Sequence, residues 1–92
     1  MSNQNDEMIF IDTDAFLALF SQEYNFLYDN EDNVAGYDEA VKAFDEFASA
    51  HDDVVSEVVS KRGDFISSDR EAAAFMFALE SYLSRLEYLR GV

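Results

Sequence analysis

Apolar residues recur at intervals of three and four along most of this chain, and no proline interrupts them. That period matches the about 3.6 residues per turn of an α-helix, so the pattern points to helices throughout. Phe16, Leu17, Leu19, Phe20, Tyr24, Leu27 and Tyr28 make a first stripe. Thr13 or Asp12 can cap it, because a side-chain oxygen there satisfies an otherwise unpaired backbone N–H. The first helix is therefore expected over residues 13–28.

After a polar, acidic turn from Asp29 to Gly36, a second stripe runs through Tyr37, Val41, Phe44, Ala48, His51, Val55 and Val58. The steps alternate four and three, so one helix over residues 37–62 would hold all seven on one face. The alternative is a break near Ala50, with Asp52 and Asp53 opening a new helix and the stiff paired valines disfavouring continuity.

A third helix is expected over residues 68–90, opened by the capping box of Ser68 and Glu71 and ended by Gly91. Its stripe is Ala72, Phe75, Leu79, Tyr82, Leu86 and Leu89, flanked by Met76, Phe77 and Leu83. Two uses are open to so wide an apolar face: the centre of the core, or a homodimer seam through Phe75, Leu79, Tyr82, Leu86 and Leu89.

The expectation is a single all-α domain over residues 1–92, an antiparallel three- to four-helix bundle preceded by an arm over residues 1–11. Met8-Ile9-Phe10-Ile11 reads as extended chain laid over the bundle, since no second strand offers itself for pairing. The polar, acidic start lacks a signal peptide's basic and apolar regions. No apolar run approaches the ~20 residues of a membrane span. A cytoplasmic location, and no membrane partner, are expected.

Twenty Asp and Glu against six Lys and Arg leave a formal charge of −14. Direct nucleic-acid binding is not expected, because it rests on neutralising phosphates with Lys and Arg. Fifteen acids and the lone base Lys42 lie in residues 1–60, while residues 61–92 balance at five of each. The whole excess thus belongs to the first two-thirds.

Acid doublets stand at Glu31-Asp32, Asp38-Glu39, Asp45-Glu46 and Asp52-Asp53, each seven residues after the last. On one helix, seven residues are two turns, about 10.5 Å, at nearly constant azimuth. Three doublets would form a ridge opposite the apolar stripe, with Glu31-Asp32 extending it from the loop. Such stacking destabilises a fold by self-repulsion. A carboxylate ridge suits a basic groove built for phosphates, and these eight residues are the candidate partner-binding set. Exposed helix positions also repeat every seven residues, which is the plainer account of the register.

In its short length, lack of Cys, scarcity of Lys, many aromatics and acids ranked along helices, the chain resembles the small acidic phage-encoded proteins that mimic DNA and block restriction or CRISPR machinery. The resemblance is one of composition, covers residues 12–60 best and includes no family-specific motif. It implies a viral inhibitor in the host cytoplasm, occupying the nucleic-acid-binding groove of a DNA-handling protein. A halophile's protein would share the acid excess, but with acids on every face, unlike the neutral last third here. The competing reading is an adaptor, immunity or antitoxin-like protein masking a basic partner through acidic and aromatic surface, centred on Phe75, Phe77 and Tyr82.

Catalysis finds little footing, so neither catalytic residues, a cofactor nor a metal are expected. An EF-hand started at Asp29 puts Val34 at the glycine position and Ala40 at the bidentate glutamate position. Only weak cation binding at Asp29, Glu31 and Asp32 is left. His51 is the only histidine, too few for a His-based metal site, and reads as a half-buried helix residue. No glycine-rich phosphate loop or serine elbow occurs.

Overall fold

The computed structural model describes residues 12–91; side chains are described up to Arg85, except that of Glu31. Four helices follow one another: α1 (Thr13–Asn30), α2 (Tyr37–Ala50), α3 (Asp52–Arg62) and α4 (Asp69–Gly91), with a short 3-10 turn at Glu31–Asn33. They form a helical bundle in which α4 is central, packed against both α1 and α2, while α3 lies against α1 and α2. The expected arm, with Met8–Ile11, lies outside the described residues.

Asp12, rather than Thr13, caps α1: its Oδ1 accepts the Ala15 N–H at 3.1 Å. The Asp12 N–H donates in turn to the Tyr82 hydroxyl at 2.9 Å, tying the entry of α1 to α4. Thr13 Oγ1 reaches across to Glu57 Oε2 on α3 at 3.5 Å. At the far end α1 runs two residues past the expected boundary. There the Asn30 side-chain amide donates to the Phe26 carbonyl one turn back, at 2.9 Å.

The single helix expected over residues 37–62 is corrected in favour of the alternative break: α2 ends at Ala50, and Asp52 opens α3 after His51. The His51 N–H closes α2 on the Phe47 carbonyl at 2.7 Å, but its backbone leaves the helical region (φ −135°, ψ 54°). The His51 carbonyl then starts α3 by accepting from Val54 and Val55 at 3.1 and 3.2 Å. Beyond the break Val58 joins the core, Val55 is half-buried against it, and Val54 is buried as well. His51 is accordingly the joint between two helices, not part of one, and its half-buried ring stacks at 4.9 Å on Phe47.

Gly63 ends α3 in the left-handed conformation (φ +84°), its N–H bonded to the Val59 carbonyl at 2.8 Å. A residue with a Cβ takes that conformation only at a cost. The Ser68–Glu71 box then opens α4 as expected: Glu71 Oε1 accepts the Ser68 N–H and Ser68 Oγ accepts the Glu71 N–H, both at 3.1 Å.

Phe75 is the hub of the core. It is fully buried and meets Phe16, Phe44 and Phe20 edge-on, with centroids 5.0, 5.2 and 6.0 Å away, and Phe47 at 5.7 Å. Aromatic pairs in such geometry add about 0.5–1.5 kcal/mol each beyond area burial. Ala72, Ala73, Ala74 and Ala78 surround it on α4, all buried, and their small side chains let α1 and α2 approach closely. Of the two uses open to this face, Phe75, Leu79 and Tyr82 serve the core of one chain, where all three are buried. The side chains of Leu86 and Leu89 lie outside those described.

Candidate functional site

The acid doublets are exposed wherever their side chains are described: Asp32, Asp38, Glu39, Asp45, Glu46, Asp52 and Asp53. The side chain of Glu31 lies outside the described set. The fold gathers Asp32 with Asp38 and Glu39 around a shallow depression that also includes Val34, Gly36 and Tyr37. Asp45 and Glu46 follow two turns further along α2, about 10.5 Å away.

The third helical doublet does not continue that line. Because the chain breaks at His51, the three-doublet ridge is corrected to two doublets on α2, and Asp52-Asp53 opens α3. This placement has its own physical logic. Asp38, Glu39, Asp52 and Asp53 occupy first helical turns, where each negative charge gains about 0.3–1 kcal/mol from the helix dipole. Asp45 and Glu46 sit past the first turn and gain nothing of the kind.

Arg62, Arg70 and Lys61 are engaged elsewhere, while Lys42 stands exposed on α2 between the two doublets. Arg62 ion-pairs with Glu71, donates to the Phe65 carbonyl at 3.1 Å and lies over the Phe20 ring at 4.9 Å. Arg70 covers the rings of Tyr28 and Tyr24 at 4.8 and 5.8 Å. Lys61 stands 3.7 Å from Asp14 in an exposed pair. Among the described residues, none of the candidate acids is in an ion pair. The neutral last third thus spends much of its positive charge holding α1, α3 and α4 together, and leaves the acids of α2 and the start of α3 facing solvent.

A second surface feature went unnoticed in the sequence. Between α2 and α4 runs an open apolar groove of about 530 Å³, floored by Ala40 and Ala43 from α2 and by Met76, Phe77 and Leu83 from α4. Only its α4 side left a trace in the sequence, as apolar flanks on an already apolar helix. Ala40 and Ala43 carried no signal, because an alanine beside a stripe is as compatible with solvent as with a groove.

Among the described residues, no group of His, Asp or Glu is arranged to hold a metal ion. No described helix is long and apolar enough to cross a membrane. The chain matches no family model, no curated protein and no solved structure.

Proposed function

We propose that this chain is a binding protein rather than an enzyme, and that its acidic face occupies a basic groove on a DNA-handling protein in place of nucleic acid. One observation carries the reading: among the described residues, Asp32, Asp38, Glu39, Asp45, Glu46, Asp52 and Asp53 are exposed without ion pairs, while the half-buried Arg62 and Arg70 are engaged with Glu71 and with the rings of Phe20, Tyr24 and Tyr28. Lys and Arg of the target would meet these carboxylates as they meet phosphates. The compositional likeness to phage-encoded DNA mimics points the same way, to an inhibitor of a restriction or CRISPR complex in the host cytoplasm. The break at His51 divides the acidic face into the doublets of α2 and the one that opens α3, so the target groove is matched by two acidic segments.

The test is capture from bacterial lysate on the immobilised full chain, with salt elution and challenge by duplex DNA. A nucleic-acid-binding protein displaced by DNA, and released as salt shortens screening below the ~8 Å of physiological conditions, supports the reading. A partner that holds in high salt and ignores DNA contradicts it and favours the adaptor or immunity reading.

A further inference from the structure

The α2–α4 groove has the dimensions and the charge of a seat for a third helix. Its α2 side extends from Gly36 to Ala43 and its α4 side from Met76 to Leu83. Seven residues are two turns, about 10.5 Å, the length over which a docked helix places anchors at i, i+3, i+4 and i+7. The small side chains of Ala40 and Ala43 leave room for that helix to approach α2. Leu83 is 41% exposed, whereas Leu79, one turn earlier, is 5% exposed.

The rim decides which helix. Glu39 borders the groove on α2 and Glu80 on α4, neither in an ion pair among the described residues. An adjoining depression reaches Phe26 past Glu23. Among the described residues, no Lys or Arg lines either hollow. A second copy of this chain, seated about a twofold axis, would set these glutamates against their own kind, with a formal charge of −14 on each copy. We infer that the groove docks an amphipathic helix of a partner protein, apolar on one face and flanked by Lys or Arg. This goes beyond the acidic-face reading and does not rest on it, since the groove is an apolar seat on the α4 side of α2.

The test uses the full chain and two peptides about four turns long (~14 residues). One carries Leu at i, i+3, i+4 and i+7 with Lys elsewhere; the control has the same composition with Leu dispersed around the helix. Titration followed by NMR should give saturable shifts at Ala40, Ala43, Met76 and Leu83 with the first peptide. The control, and the first peptide on Leu83→Glu or on Glu39→Lys/Glu80→Lys, should each bind at least ~10-fold more weakly, about 1.4 kcal/mol. All three substitutions lie at exposed positions, and circular dichroism checks that helicity is kept. Equal binding of both peptides, or shifts confined to Asp45, Asp52 and Asp53, would overturn the inference in favour of charge alone. Contacts from Met8–Ile11 into the groove, or groove shifts that follow protein concentration without peptide, would overturn it in favour of the chain's own arm or a second copy. Neutralising Asp45, Glu46, Asp52 and Asp53 spares the groove, so failure here and failure of the acidic face are read separately.

Discussion

The guanidinium of Arg62 is ion-paired with the Glu71 carboxylate, joining the last turn of α3 to the first turn of α4. The other carboxylate oxygen accepts the Ser67 and Ser68 N–H groups at 3.0 and 3.1 Å. One side chain therefore closes the α4 cap and fixes the α3–α4 corner. Burial by itself would raise the Glu71 carboxyl. The hydrogen bonds from Arg62, Ser67 and Ser68, with the Arg62 charge, outweigh burial and hold it below its ordinary value of 4.5.

Glu71→Ala should cost about 1–3 kcal/mol, because it removes cap and ion pair and strands a part-buried guanidinium. Glu71→Gln isolates the pH dependence. The folded-state pKa is lowered, so the unfolded chain binds more protons between the two values and the Glu71 contribution grows with pH there. The stability gap between wild type and Glu71→Gln should be full above about pH 4.5 and close as pH falls through the depressed folded value. Urea denaturation of both proteins across that range checks it; a gap that does not change with pH would contradict the assignment.

Phe75 contacts rings from both α1 and α2 at once, so Phe75→Ala should cost about 3–5 kcal/mol, a large share of a small domain's stability. Phe75→Leu should cost less. Thermal unfolding should show the alanine variant with a much lower Tm or without a cooperative transition.

Tyr82→Phe keeps the ring against Phe16 and deletes the hydroxyl that accepts from the Asp12 N–H. A loss of about 0.5–1.5 kcal/mol is expected. Hydrogen exchange should quicken at the first turn of α1 before it does in α4.

The acids divide by their service to the fold. Asp52→Asn/Asp53→Asn should lower stability by about 0.3–1 kcal/mol per charge, since first-turn acids oppose the helix dipole favourably. Asp45→Asn/Glu46→Gln should leave stability unchanged or slightly raised. Chemical denaturation of the two double variants separates the effects. Destabilisation by the second pair would give Asp45 and Glu46 a structural role in place of a binding one.

What could be read in the sequence followed the range of the interactions. The α4 capping box was legible because Ser68 and Glu71 sit three residues apart and bond to one another's backbone, whereas the pairing of Glu71 with Arg62 across the corner left no such local signal. The break at His51 was legible only as an alternative, from Asp52-Asp53 and the paired valines, because a continuous helix and a broken one bury nearly the same residues. The use of Phe75 and Tyr82 was ambiguous for the same reason, since core and dimer seam ask for identical residues until α1 and α2 are seen on two sides of α4. The acid excess was plain in the sequence. That Arg62 is engaged by Glu71 and Phe20, and Arg70 by Tyr24 and Tyr28, while the acids of α2 make no ion pair among the described residues, emerges only from the packing.

The central claim is tested most directly by measuring the affinity of a captured partner for the wild-type chain and for a variant with Asp38, Glu39, Asp45, Glu46, Asp52 and Asp53 changed to Asn or Gln. Helicity is monitored alongside by circular dichroism. An acidic face that stands in for nucleic acid should lose at least ~100-fold in affinity on neutralisation, about 2.7 kcal/mol, and lose its ability to displace duplex DNA from the partner. Unchanged affinity in a folded, neutralised variant would show that the acidic face is not the site.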